Sequence, residues 1–184
     1  MNRPQGFTLI EVMVSILIIA LLGALIIPNF RARTPRYERE LFVARLGAQV
    51  QAAWQHALIT RTLHKVVFDL KGRRVWVEYA RKGQDEKGQP AFRPLKQWHG
   101  VGPMQWDERF KFKQFMIEGF DEMDRSTDRA TVEVFFYVVP DGLTQEVTIN
   151  MLDTKDTIER RPRPFSLVLN PFTARFEYHD SFQT

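Results

Sequence analysis

The chain contains no cysteine, and this absence removes several kinds of chemistry at once. A protein without cysteine has no disulfide, no thiolate metal site and no cysteine nucleophile. Because an oxidising compartment is neither required nor excluded by the lack of thiols, the cysteine count does not indicate where the protein resides.

The sequence also lacks the patterns that mark common enzyme sites. No H-E-x-x-H spacing and no metal-ligand cluster occurs among the four histidines, His56, His64, His99 and His179. We interpret His56 and His64, eight residues apart, as surface or packing residues. There is no G-x-S-x-G nucleophile elbow and no Gly-rich phosphate loop. We therefore predict no catalytic residue, no metal, no cofactor and no enzymatic activity.

Neither basic nor acidic residues are strongly in excess. Lysine and arginine total 26 against 22 aspartates and glutamates, which leaves a formal net charge of +4. A weak basic excess fits nucleic acid or lipid headgroups, but it fits a solvated surface better because the basic residues form no long run. We do not expect nucleic-acid binding. The acidic cluster Asp121, Glu122 and Asp124 has two interpretations, a calcium site built from oxygens or a solvated loop, and we favour the loop.

What the sequence does contain is a long apolar block from Phe7 to Ile27, in which Glu11 is the only charged side chain. As a helix, its roughly 21 residues would be about 31 Å long at ~1.5 Å per residue, which matches a bilayer core of ~30 Å. A secretory signal peptide would be shorter and would end in a small-residue cleavage site. A core helix rarely stays apolar on every face. We therefore predict a membrane helix over residues 7–27.

Basic residues on the two sides of this block give a weak orientation signal. Arg3 precedes the block, whereas Arg31, Arg33, Arg36 and Arg39 follow it. The positive-inside rule would thus weakly favour a cytoplasmic location for the C-terminal part.

Glu11 is the most informative residue of the block. A carboxylate inside a membrane helix costs a few kcal/mol unless it is paired, so such a residue indicates a function. If the chain began at Phe7, Glu11 would lie about one turn from a free α-amino group and in the positive end of the helix dipole.

The segment Gly6-Phe7-Thr8-Leu9-Ile10-Glu11-Val12 resembles the processing signature of type IV prepilins and type II secretion prepseudopilins. The resemblance implies that Met1 to Gly6 is a leader, which an inner-membrane prepilin peptidase removes before it methylates Phe7. It further implies that Glu11 pairs with the N terminus of a neighbouring subunit, with Thr8 in the same assembly segment. Pro28 falls where the family often has a helix-kinking proline.

The same resemblance implies a location and a set of partners. The leader would be cytoplasmic and the C-terminal head periplasmic, on a single-pass protein of the inner membrane in a Gram-negative type of envelope. We prefer this orientation to the count of basic residues, because cleavage requires it. The implied partners are other pseudopilins (major and tip minor subunits), the prepilin peptidase, the inner-membrane assembly platform, and membrane lipid before assembly.

After Pro28 the pattern becomes that of an amphipathic helix that extends to about Thr62. Its apolar face steps through Phe42, Leu46, Val50, Ala53 and Ala57. We interpret this face as core packing against a sheet, with contact to a partner helix as the alternative. Pro35 predicts a break or loosened turn between the anchor and the rest of the chain.

From Lys65 onward the hydrophobic period changes to two, which is typical of strands. A hairpin is predicted across Lys71-Gly72, and a strand over residues 131–139 precedes the Pro140-Asp141-Gly142 turn. Two short strands are expected on either side of Asn170-Pro171. We predict loops over residues 81–94 and 153–164, because these stretches are polar or charged and carry glycine or proline. Between them, Val147, Ile149 and Met151 alternate with Glu146, Thr148 and Asn150.

The predicted fold class is therefore α+β, with a long N-terminal helix, half membrane-spanning and half amphipathic, packed on an antiparallel β-rich head. The expected divisions are a leader at 1–6, a filament-core helix at 7–27, its amphipathic continuation at 28–63 and the head at 64–184. The turn at residues 139–142 and the stretch Leu167 to Thr173 resemble the H-type minor pseudopilins, although Ala174 stands where a glycine is frequent.

Three functions follow as hypotheses. The first is a structural minor pseudopilin of a type II secretion system, assembled into the periplasmic pseudopilus. The second is a minor pilin of a type IV pilus that binds DNA through a basic head. The third is a membrane-tethered enzyme or receptor, but an anchor alone gives no reason for Gly-Phe-Thr-Leu-Ile-Glu.

Overall fold

The computed structural model describes residues 8–31, 34–84, 90–125 and 133–183. The predicted leader, Gly6 and Phe7 lie outside these residues. Contacts within the chain divide it into two compact units, Met1–Glu38 and Arg39–Thr184. The predicted boundaries at residues 27, 63 and 64 stay predictions.

The first helix, α1, spans Leu9–Arg31 and begins directly after Thr8. Long aliphatic side chains dominate it, and every side chain from Thr8 to Leu22 is exposed. Pro28 lies inside α1, where it cannot donate a backbone hydrogen bond. Within the described part of the chain, no helix combines the length and the apolar character needed to cross a bilayer.

The second helix, α2, spans Pro35–Thr60, so Pro35 starts a helix. Thr34 caps it, because its hydroxyl accepts a hydrogen bond from the Tyr37 amide at 3.4 Å. Proline suits the first helical position, since its missing amide hydrogen would have no partner there. At the other end, Arg61 takes a left-handed conformation with φ 53°. Its amide donates to the Ala57 carbonyl at 2.9 Å and closes the last turn.

Two antiparallel sheets and a short helix complete the part of the chain that the structure describes. The strands are β1 (His64–Asp69), β2 (Arg74–Gln84), β3 (Pro90–Pro94), β4 (Met104–Gln105), β5 (Phe110–Ile117), β6 (Phe120–Asp121), β7 (Glu133–Val138), β8 (Val147–Ile158), β9 (Arg161–Asn170) and β10 (Arg175–His179). The helix α3 (Glu122–Arg125) follows β6. The first sheet has the order β3-β2-β1-β7 with β4 also on β2, and the second has the order β10-β9-β8-β5-β6.

The core lies between α2 and the inner faces of the two sheets. All five residues of the predicted apolar face of α2 are buried, which confirms that face. They form one cluster with side chains of both sheets, including the fully buried Phe68, Phe115, Phe136 and Phe165. Phe42 of α2 stacks on Phe110 of β5, with ring centroids 4.4 Å apart. Burying such phenyl rings contributes roughly 1.5–3 kcal/mol each.

The hairpin across Lys71-Gly72 and the two strands on either side of Asn170-Pro171 are confirmed. The predicted loop over residues 153–164 is wrong, and so is the predicted loop over residues 81–94 at 81–84 and 90–94, whereas residues 85–89 lie outside the described part. Strand β2 continues through residue 84 and pairs with β3 across a bulge between Ala80 and Gln84. Strands β8 and β9 form a hairpin that covers residues 153–164, and Glu159 and Arg160 at its turn have φ 50° and 66°. This charged stretch can form strands because Asp153, Asp156 and Arg163 are paired with other charges of the head, whereas residues 159–161 at the turn are exposed to water.

The polar residues Thr148 and Asn150 of β8 are buried like the core residues Ile149 and Met151 beside them, and Asn150 is fully buried although it faces away from the core. The C-terminal tail explains this burial. Asn150 donates from Nδ2 to the Gln183 carbonyl at 2.8 Å, and Ser166 on β9 donates to the Ser181 carbonyl at 2.8 Å. The tail therefore covers the outer face of β8 and β9.

Gly142 occupies a turn that no other residue fits without strain. Its φ is +82°, and a Cβ there would lie 2.9 Å from Cδ2 of Leu58. The Gly142 carbonyl also accepts a hydrogen bond from Trp54 Nε1 at 2.6 Å, which ties α2 to the turn. A left-handed residue with a Cβ costs about 1–3 kcal/mol.

We predict that Gly142→Ala lowers the free energy of unfolding by about 1–2 kcal/mol, as measured by urea unfolding followed by tryptophan fluorescence. Gly47→Ala is the matched control, because Gly47 lies inside α2 and a Cβ added there would have no neighbour within 4 Å. There the same substitution should stabilise the protein by up to ~1 kcal/mol. Equal effects at the two positions would contradict the prediction.

Candidate assembly site

Thr8 caps α1 and so positions Glu11. The Glu11 amide donates to the Thr8 carbonyl at 3.1 Å and lies 3.4 Å from the Thr8 hydroxyl oxygen. The Val12 amide also reaches the Thr8 carbonyl, at 3.3 Å. Threonine is a preferred cap because it satisfies amides that lack a partner within the helix. The sequence Thr-Leu-Ile-Glu thus places a carboxylate in the first helical turn, where the helix dipole favours negative charge.

The carboxylate of Glu11 stands in an exposed apolar surface. Leu9 is 80% exposed, Ile10 71% and Met13 64%. Further along the helix the exposed apolar residues are Val12, Val14, Ile16, Leu17, Ile18, Ile19, Leu21 and Leu22. An apolar surface of this extent marks a contact with lipid or with other proteins. Any contact that covers this end of α1 also removes Glu11 from water, so the carboxylate then needs a cation as its partner.

The structure places the predicted site residues in three groups. Thr8 and Glu11 come together at the first turn of α1. The Ser15 hydroxyl adds a hydrogen bond to the Glu11 carbonyl at 2.7 Å. Pro28 lies in the last third of the same helix. Gly6 and Phe7 lie outside the described residues, so their roles in cleavage and methylation stay predictions.

The head contains a buried ionic cluster that the sequence did not predict. Asp153 on β8 is fully buried and accepts two hydrogen bonds from Arg109, from Nε at 2.8 Å and from Nη2 at 2.6 Å. Arg39 on α2 approaches the same carboxylate at 3.4 Å and donates to Asp156 at 2.6 Å. The cluster continues outward through Arg163 to Asp156 at 2.9 Å.

The electrostatics of the cluster follow from these contacts. The hydrogen bond from Arg39 lowers the pKa of the Asp156 carboxyl, against the opposing effect of burial, and the charge of Arg163 adds to the lowering. Burial alone would lower the pKa of Arg39, but its bond to Asp156 and the nearby acidic groups outweigh burial and raise the pKa. Both groups therefore stay charged at neutral pH, and the cluster fastens the start of α2 to the second sheet.

The acidic cluster that we considered for calcium has a local role in the structure. Oδ1 of Asp121 accepts the Phe115 amide at 3.2 Å and the Met123 amide at 3.0 Å, which caps the short helix α3. In the ranges that the structure describes, no group of three or more histidine, aspartate or glutamate side chains is placed to hold a metal.

A family model matches the start of the chain, and solved structures resemble the chain in fold. Residues 1–27 match the family model described as the prokaryotic N-terminal methylation motif. No curated protein sequence matches the chain. The motif match covers the capped start of α1, Glu11 and the residues predicted for cleavage.

Two solved structures of the minor pseudopilin EpsH, from the type II secretion system of Vibrio cholerae, resemble the chain in fold. Each has a TM-score of 0.52 and covers 80% of this chain. The identities are 10% and 11%, and the shares of the EpsH chains covered are 99% and 96%. At this identity the likeness shows the fold alone. The chain therefore joins a prokaryotic N-terminal methylation motif to a head with the pseudopilin fold.

Proposed function

We propose that this protein is a structural subunit of the minor pseudopilin kind, assembled through α1 into the periplasmic pseudopilus of a type II secretion system. The observation that carries the proposal is Glu11, a carboxylate in the capped first turn of an exposed apolar helix, inside a matched methylation motif. The likeness in fold to the minor pseudopilin EpsH supports a pseudopilin role.

The proposed assembly has a simple physical basis. Cleavage after Gly6 frees an amino group at Phe7, close to Glu11 of an adjacent subunit when their apolar helices lie side by side. Each charge offsets the desolvation of the other, whereas a slipped register leaves both buried without a partner. Pairing thereby selects one register among many that apolar contact alone would permit.

Processing, membrane insertion and assembly would act on the same N-terminal segment. The prepilin peptidase removes residues 1–6 and methylates Phe7, and lipid covers α1 before the helix enters the filament. Before assembly, residues 7–27 serve as a single inner-membrane span with the head in the periplasm. Other pseudopilins and the inner-membrane assembly platform are the partners of the assembled subunit.

Gly6→Ala tests the processing step. A methyl group at this position crowds the peptide that the peptidase must bind, so we expect the leader to stay attached. Intact-mass spectrometry of the protein purified from the membranes of its native host would show unprocessed, unmethylated chains. Gly23→Ala is the matched control, since it makes the same change within the apolar block and should leave cleavage intact. Wild-type chains that retain Met1 in the native host would contradict the proposed function.

A further inference from the structure

His56 and His64, at the end of α2 and the start of β1, form a hydrogen-bonded pair for which the assembly role gives no reason. Nδ1 of His56 lies 2.6 Å from Nε2 of His64. His64 is fully buried, and its Nδ1 lies 2.8 Å from the Thr62 carbonyl oxygen. Two titratable rings in direct contact within a folded head can respond to protons.

The Thr62 carbonyl determines which nitrogen of each ring carries hydrogen. A carbonyl only accepts, so Nδ1 of His64 must donate to it, and Nε2 of a neutral His64 is then an acceptor. His56 must therefore donate from its own Nδ1 to His64, which leaves the lone pair of His56 on Nε2. The pair is a directed chain from His56 to His64 to the Thr62 carbonyl.

Among the described residues, aromatic rings and not charged groups surround the pair. Tyr79 of β2 stacks on His64 at 6.0 Å and meets His56 edge-on at 5.7 Å, and the Trp98 ring lies 4.6 Å from that of His56. The His99 ring contacts the Trp98 ring, with centroids 4.6 Å apart. In the part of the chain that the structure describes, neither imidazole has a carboxylate partner. The neighbouring charges Lys65 and Glu78 pair with each other at 2.9 Å, and the alternation along their strands turns them to the opposite face.

We propose that His56 and His64 form an acid-sensitive latch, which holds the C-terminal turn of α2 on β1 and opens when both rings are protonated. A first proton enters at Nε2 of His56 and leaves the hydrogen bond intact, with the nearby helix C terminus favouring the charge. A second proton must enter at Nε2 of His64. This nitrogen is the acceptor of the hydrogen bond between the two rings, so its protonation removes that bond. Two N–H groups on two cations would then face each other, and the rings must separate.

The pKa values set the pH range of the latch. Burial is the main cause that lowers the pKa of His64 to about 4, assisted by the charge of His56 and opposed by the bond to Thr62. Burial also lowers the pKa of His56. In the unfolded chain a histidine titrates near 6.5. The unfolded chain therefore binds more protons between about pH 6.5 and 4, so stability is complete above this range and falls as the pH drops through it.

The test compares urea unfolding of the full chain in detergent micelles at pH 7.5 and pH 4.5, followed by tryptophan fluorescence. His64→Gln can place its amide oxygen near the position of Nε2, where it accepts from Nδ1 of His56 as the neutral imidazole does, but it cannot titrate. His99→Gln makes the same change at an exposed histidine. Both variants lose one histidine and keep every other titratable group. On acidification from pH 7.5 to pH 4.5, the unfolding constant of His99→Gln should rise by a factor that is more than about tenfold larger than the factor for His64→Gln.

A second variant, His56→Gln, and hydrogen exchange at one amide test the latch even if His64→Gln does not fold. If His64→Gln does not fold at pH 7.5, His56→Gln replaces it, and its acid loss should likewise be smaller than that of His99→Gln. Hydrogen exchange, corrected for intrinsic rates, should show early opening at pH 4.5 of the Arg61 amide, which bonds the Ala57 carbonyl at 2.9 Å. Equal acid losses in the folded pair variant and in His99→Gln would overturn the latch.

Discussion

Asp153→Asn should lower the free energy of unfolding by about 3–5 kcal/mol, the largest effect on stability that we expect from one substitution in the head. The wild-type carboxylate accepts hydrogen bonds from four residues: the guanidinium groups of Arg109 and Arg39 and the backbone amides of Lys155 and Asp156. Asparagine keeps the shape but removes the charge, and its amide hydrogens would face guanidinium hydrogens. Arg109, which is only 5% exposed, would remain charged without its main counter-ion.

Asp180→Asn is the matched control for this prediction. Asp180 makes the same kind of ion pair with Arg163, at 3.4 Å, but its side chain is 71% exposed. Exposed pairs contribute about 0–1 kcal/mol, because water and salt screen them. The measurement is urea unfolding of the full chain in detergent micelles at neutral pH, with the tryptophans of the head as the probe. A loss at Asp153 no larger than the loss at Asp180 would show that the buried cluster is not stabilising.

Glu11→Ala should abolish entry into filaments while leaving removal of the leader unchanged. In the proposed assembly, this substitution leaves the amino group of a neighbouring Phe7 buried among apolar helices without a partner. A buried charge that loses its partner costs several kcal/mol, so incorporation should fall by more than about tenfold. Crosslinking of the variant to the other pseudopilins in membranes of the native host measures incorporation, and intact mass measures cleavage in the same sample.

Ser15→Ala provides the control for Glu11→Ala. Ser15 lies one turn further along the same exposed surface, and its hydroxyl bonds only to the Glu11 carbonyl in the described structure. Its loss removes a local hydrogen bond but no charge, so incorporation should stay close to that of the wild type. Normal incorporation of Glu11→Ala would refute the pairing, whereas loss of cleavage in that variant would instead place Glu11 in recognition by the peptidase.

Local patterns of the sequence sufficed for much of the architecture. The apolar face of α2 could be predicted because apolar residues at a period of 3.6 form one face of a helix, and burial of that face removes them from water. The hairpin across Lys71-Gly72 and the turn at Gly142 depend on residues within a few positions of one another. The cap at Thr8 and the carboxylate at Glu11 are likewise separated by less than one turn, so their relation is a property of the segment itself.

The predicted loops failed where the deciding contact was distant in sequence. Residues 153–164 look unstructured because they are charged, yet Asp153 pairs with Arg109 and Arg39, which lie far away along the chain. Asn150 looks like an exposed strand position, yet the last residues of the chain cover it. No local pattern specifies which of many arginines meets a given aspartate, because that choice depends on how the sheets and α2 pack.

The sequence by itself determined the apolar N-terminal helix and the place of Glu11 near its start, because both are defined by residues that are close together along the chain. Only the tertiary structure decided where buried charge is neutralised and which two histidines meet. The physical reason is range. Hydrophobic period, caps and turns act between near neighbours in the chain, whereas ion pairs and imidazole contacts act between neighbours in space, which exist only once the core has formed.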